Sequence, residues 1–142
     1  AKTPCIVSPY TRTPINSPPT NSLFIRTSFS ANSLPLKIKK GDTVVFKSVD
    51  PGHNTASAPN LIPAGASSWE STQGQDFSIT FDTEGVYVYQ CTPHLVMAMV
   101  GLIQVGEATN MAEIKSNLGG FEALIALNQD RLGKYFSQLE SL

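Results

Sequence analysis

The sequence predicts a mainly β protein, two packed sheets followed by two C-terminal helices. Three observations carry this. Between residues 23 and 106 the apolar residues come in short runs rich in Val, Ile, Phe and Tyr, the composition of strands. Turns built on Gly, Asp and Pro separate those runs. After Gly106 the pattern changes to helical spacing. Short strands with regular turns argue for a two-sheet sandwich.

Taken in order, residues 1–22 form an arm rich in Pro, Ser and Thr. Its prolines (Pro4, Pro9, Pro14, Pro18 and Pro19) forbid helix and interrupt strands. CIVS (5–8) can make one short edge strand, and the rest reads as an extended arm or loop. The sandwich, residues 23–106, then begins. LFIRTSF (23–29), LPLKIK (34–39), TVVFKSV (43–49), FSITF (77–81), VYVYQC (86–91) and VGLIQV (100–105) read as strands. The turns are KKGD (39–42), DPGHN (50–54) and DTEG (82–85). Both alternating faces of VYVYQC are apolar or aromatic, so that strand belongs in the middle of a sheet, covered on both sides. Residues 55–76 lack a period and read as a long loop crossing one end of the sandwich, with Trp69 as its packing anchor. In 107–142, Asn110 is placed to cap a short helix, Met111 to Leu118, which Gly119 and Gly120 end. A longer helix, about Phe121 to Glu140, would lay Phe121, Leu124, Ile125, Leu132, Tyr135, Phe136 and Leu139 on the sandwich. The three parts make one domain.

The 142 residues suffice for a hydrophobic core without disulfide staples. The net charge of −1 leaves no basic surplus to neutralise phosphates, which argues against a nucleic-acid partner. No apolar run approaches the roughly 20 residues that span a bilayer. The chain opens on Ala1, as a mature secreted chain would after loss of a signal peptide. Of the two cysteines, Cys5 reads as a small buried or tail residue; an oxidising compartment would permit a bond to Cys91.

The chemistry concentrates in CTPHLVMAM (91–99) and in the turn DPGHN. His53 and His94 are the only two histidines, and each follows a predicted strand. In a sandwich, loops at one end cluster in space. One thiolate (Cys91), two imidazoles and one thioether make a His₂Cys set with a weak axial Met, the ligand set of blue-copper electron-transfer centres. Structural zinc would favour four Cys or His ligands. A two-copper centre needs a second cysteine in this loop, and a copper enzyme needs further histidines. Cys91 with His94 as a nucleophile and its base leaves His53 and Met99 without a role. Spacing leaves Met97 and Met99 both open as the thioether.

At these residues the sequence resembles the cupredoxins, and among them the pseudoazurins. The signatures are GDTVVFKSVDPGHN (41–54), LIPAGASSWES (61–71), GVYVYQCTPH (85–94) and MAMVGLIQVGE (97–107), and the resemblance covers roughly residues 34 to 140. It implies a Greek-key β-sandwich of about seven to eight strands with two C-terminal α-helices. It implies one type 1 copper ion held by His53, Cys91, His94 and Met99, and electron transfer without bond-making chemistry. Asn54 is expected to donate its backbone N–H to the Cys91 sulfur and to tie the two ligand loops together. Pro93, with no N–H, limits the donors at that sulfur. The edge of His94 would be the electron port, ringed by Pro51, Leu95, Val96, Met97 and Ala98, where redox partner proteins dock briefly. Such a partner would be a copper nitrite reductase or a cytochrome c, met by a monomer in the periplasm. A periplasmic copper-delivery protein is the alternative. Two departures from the family stand out. Pro51 and Gln90 occupy positions where it often places lysine, and the proline-rich arm with Cys5 lies outside its usual pattern.

Overall fold

The computed structural model describes residues 6–14, 21–28, 35–49 and 51–142, with the backbone alone at 6–14, 21, 22, 24 and 26–28. Cys5 and residues 15–20 of the arm lie outside the described residues. The strands are β1 (Ile6–Pro14), β2 (Asn21–Ser28), β3 (Leu36–Ile38), β4 (Thr43–Ser48), β5 (Ala56–Ser57), β6 (Phe77–Thr80), β7 (Gly85–Gln90) and β8 (Val100–Val105). The helices are α1 (Met111–Glu122) and α2 (Arg131–Glu140). One sheet has the order β1-β2-β4-β6 and the other β3-β8-β7-β5. The β2–β4 and β3–β8 pairs are parallel; the remaining neighbours are antiparallel. The mainly β sandwich with two C-terminal helices is as the sequence predicts.

Strand β1 exceeds expectation. It pairs along most of its nine residues with β2, Ile6 opposite Ser28 and Pro14 opposite Asn21, with an irregularity between Tyr10 and Thr13. Its position at a sheet edge explains why Pro9 and Pro14 are tolerated, since an edge strand need not donate every N–H to a neighbour. The two-residue strand β5 is too short to show any alternation and lies inside the predicted loop.

Strand β7 lies between β8 and β5, and its first five residues are buried. Tyr87 and Tyr89 face the inter-sheet core with Leu23, Ile25, Phe46, Trp69, Phe81 and Ile103. Val86 and Val88 face the other way, under the helices, with Ile114, Phe121, Leu132 and Leu139. A strand buried on both faces is what its unbroken apolar run requires. Tyr89 lies opposite Gly101 on β8, and a Cβ on Gly101 would fall within the Tyr89 ring. Trp69 anchors its loop as expected: it is buried, stands edge-on to Phe81 with centroids 5.6 Å apart, and donates Nε1–H to Thr55 Oγ1 at 3.1 Å.

The helices differ from their predicted bounds. Helix α1 runs through Gly119 and Gly120 to Glu122. Two helical glycines cost about 2 kcal/mol relative to alanine. Burial of Phe121, one turn-pair from Ile114 on the same face, returns about 1.5–3 kcal/mol, enough to carry the helix past them. Helix α2 starts only at Arg131, after Asn128 takes a left-handed conformation at φ 59°. Leu124, expected on the apolar face, is exposed, as is Leu127.

Asn110 does not use its side chain as a helix cap. Its Oδ1 accepts the Val86 N–H at 2.7 Å and its Nδ2 donates to the Val86 carbonyl at 3.0 Å, pinning the start of β7 to the start of α1. Asn110→Ala leaves both buried Val86 groups without those partners. Unfolding in urea should show a loss of about 2–4 kcal/mol; a loss below about 0.5 kcal/mol would mean that water replaces the amide.

Candidate metal centre

Two loops at one end of the sandwich build the site. The segment after β4 carries His53 and Asn54, both buried. The β7–β8 connection carries Cys91, His94 and Met99. It is a short 3-10 helix, Thr92–Met97, rather than a plain turn, with Pro93 in its first turn, where the missing N–H is not needed. The base of this loop is closed by Cys91 N–H to the Met99 carbonyl at 2.9 Å and by Met99 N–H to the His94 carbonyl at 3.3 Å.

His53 Nδ1 lies 3.1 Å from His94 Nδ1, and the Cys91 Sγ lies 3.7 Å from the first and 3.4 Å from the second. The cluster His53, Cys91 and His94 places one donor atom of each side chain within 4.8 Å of the others. Donors bound at about 2.0–2.3 Å around one ion at trigonal to tetrahedral angles stand roughly 3.3–3.8 Å apart. The two sulfur–nitrogen separations fall in that range and the two imidazole nitrogens stand slightly closer, a spacing for a single small ion. Met99 lies in the same buried cluster as Cys91. Two nitrogens, a thiol and a thioether suit copper by donor softness.

Burial differs among these side chains in a way that matters. His53, Cys91 and Met99 are at most 1% exposed, whereas His94 is half-buried and offers the cluster's route to solvent. Burial pushes the Cys91 thiol above its ordinary range. The backbone N–H groups of Asn54 and His94 oppose this by favouring the thiolate. The His94 N–H is shared, because it also donates to the Cys91 carbonyl at 3.0 Å. Pro93 therefore does not leave the sulfur with the Asn54 amide alone. Burial holds the His94 imidazole below its usual pKa, which favours the neutral ring that a metal needs.

Asn54 joins three segments. Its Oδ1 accepts the Thr92 N–H at 2.8 Å, and its Nδ2 donates to Thr92 Oγ1 at 3.2 Å and to the Ser71 carbonyl at 3.3 Å. Ser71 in turn accepts the Thr55 N–H on its hydroxyl at 2.8 Å, and the Gly74 N–H reaches the His53 carbonyl at 2.9 Å. Ser71 and Gly74 support His53 from a loop without sequence period, and no signal in that loop marks them.

Of the expected rim, Pro51 and Val96 are exposed, and Leu95 and Met97 are half-buried. Ala98 is a correction: it is 0% exposed and packs in the cluster beneath the helices with Leu132. Its left-handed backbone turns the chain inward there, so its methyl cannot face a partner.

Residues 26–106 match the family described as copper binding proteins, plastocyanin/azurin family. The chain is 34% identical over 105 residues to a pseudoazurin of Methylorubrum extorquens, covering 74% of this chain and 68% of that one. It is 44% identical over 81 residues to a putative pseudoazurin of Rhizobium leguminosarum bv. viciae, covering 56% of this chain and 53%, about half, of that relative. The crystal structure of pseudoazurin from Methylobacterium extorquens AM1 superposes with a TM-score of 0.65 at 36% identity, over 74% of this chain and 82% of that one. With a buried His-Cys-His cluster at the end of such a sandwich, the chain belongs to the plastocyanin/azurin family of copper-binding proteins, on its pseudoazurin branch.

Proposed function

We propose that this copper-binding protein is a type 1 electron carrier in which His53, Cys91, His94 and Met99 are the ligands. The observation that supports it best is the triad of donor atoms within 4.8 Å, closed from water except at the half-buried His94. Bound copper supplies a one-electron Cu(II)/Cu(I) couple. Cys91 and Met99 offer the soft donors that favour the reduced ion, and the two imidazoles suit the oxidised one. The two stiff loops, tied by Asn54, hold these donors in one compromise geometry, so that little moves when an electron arrives. Both histidines are spent on this one centre, which leaves none for a second, catalytic copper.

The electron path runs through the His94 ring. The apolar groups around it (Pro51, Leu95, Val96 and Met97) suit brief docking with a small interface. The partners we propose are a copper nitrite reductase or a cytochrome c in the periplasm, met by a monomer. Among the described residues no helix is long and apolar enough to cross a membrane.

Copper delivery is the competing role, and full burial of Cys91 and Met99 favours retention over exchange. Stepwise addition of Cu(II) to the apoprotein distinguishes the two. An intense visible band that bleaches with a reductant and returns with an oxidant is the expected result. A colourless adduct, or copper surrendered to a weak chelator within seconds, would favour delivery.

A further inference from the structure

The ligand loop is held from outside the sandwich. The Val96 carbonyl accepts the N–H groups of Ala126 at 2.8 Å and Leu127 at 2.9 Å. Next to it, the Met97 carbonyl accepts the Asn128 side-chain amide at 3.4 Å. The Ala98 carbonyl accepts Arg131 Nη1 at 3.3 Å, besides the Val100 N–H at 3.0 Å. Three consecutive carbonyls immediately before Met99 are thus bonded to residues 126–131, the latter part of the α1–α2 connection and the first residue of α2.

The backbone they hold is strained. Ala98 sits at φ 59°, ψ 41°, in the left-handed region that is unfavourable for a residue with a Cβ. Such a conformation persists only where its surroundings over-determine it. Here Arg131 fixes the carbonyl, and the Ala98 methyl is wholly buried in the cluster under the helices, which includes Leu132 of α2. Asn128 reaches Met97 from its own left-handed turn at φ 59°, which asparagine tolerates better than most residues.

We propose that residues 126–131 are a clasp that sets where the Met99 sulfur stands relative to Cys91, with Arg131 and Asn128 as its positioning residues. The proposal rests on the type 1 copper reading. A thioether would bind copper only weakly, so the ion would do little to pull Met99 into place. Its position follows from the backbone at 97–99, and that backbone would relax if Ala98 were released. The helical pair, which otherwise only covers apolar surface, then acts on the metal centre.

The test compares Arg131→Ala, Asn128→Gly and Arg131→Lys with the wild type, each loaded with Cu(II). Glycine at 128 keeps the left-handed turn and removes only the amide. Two readouts are taken: the relative intensities of the visible thiolate–copper bands, and the rate at which the reduced protein loses copper to a Cu(I) chelator. Arg131→Ala and Asn128→Gly should each alter the band ratio and speed release by about 10-fold, the lower range for supporting residues around a metal. Arg131→Lys, which keeps a donor, should restore both. Leu139→Ala, buried near the C-terminal end of α2 and eight residues beyond Arg131, is the control; it should lower the melting temperature yet leave both readouts unchanged. Wild-type spectra and release rates in the Arg131 and Asn128 variants, or equal shifts in Leu139→Ala, overturn the clasp. A wild-type protein without the intense band overturns the electron-carrier reading itself, a separate and distinguishable result.

Discussion

Cys91→Ser should take up Cu(II) without the intense visible band, and should not cycle between oxidised and reduced forms. A thiolate sulfur is the soft donor of the set; a serine hydroxyl stays protonated at neutral pH and is a poor ligand. The loss should exceed the 10–100-fold typical of a supporting residue, so copper affinity falls by more than about 100-fold. The same change has a thermodynamic signature. At a fixed copper concentration far above the wild-type dissociation constant, a 100-fold loss of affinity removes about 2.7 kcal/mol of ligand-linked stability. The copper-free variant should melt close to the copper-free wild type, because serine is smaller than cysteine and fits the same fully buried position. Absorption spectra and melting curves with and without copper check both halves. A retained intense band would show that the sulfur is not a ligand.

Asn54→Ala should damage fold and site together. The amide holds Thr92 by two hydrogen bonds, 2.8 Å and 3.2 Å, and reaches Ser71 by a third at 3.3 Å. Removing it strands the buried Ser71 carbonyl and the part-buried Thr92 N–H. At about 1–3 kcal/mol for each group left unpaired, the expected cost is about 2–4 kcal/mol in denaturant unfolding. The backbone N–H of residue 54 survives the change and still faces the Cys91 sulfur. The band should therefore persist, while copper affinity falls roughly 10–100-fold as His53 and the Cys91 loop lose their common tie. Unchanged affinity alongside the stability loss would confine Asn54 to a structural role.

These effects divide along the line between local and non-local information. The alternating run at 43–48 and the unbroken apolar run at 85–90 carry their own signals, and so these strands were legible without a fold. The residue types of the cluster were legible too, because Cys91, His94 and Met99 lie within one short loop and only two histidines occur. The bounds of α1 were not. Whether two glycines end a helix depends on whether Phe121 beyond them finds a core, and that core is built by β7 from elsewhere in the chain. Ala98 misled for a related reason. Its small side chain and its place near exposed Val96 suggest a surface rim, but its left-handed backbone and the core formed with the helices leave it buried.

By itself the sequence determined most of the strands, the donor chemistry and the spacing of Cys91 and His94, because these depend on side-chain type and near-neighbour periodicity. Tertiary structure alone decided that His53 Nδ1 stands 3.1 Å from His94 Nδ1, that Asn54 finds both Thr92 and Ser71, and that residues 126–131 grip the carbonyls ahead of Met99. Each of these contacts joins groups at least 17 positions apart. Sheet register and helix packing bring such groups within hydrogen-bonding range, and no local pattern of residues encodes the meeting.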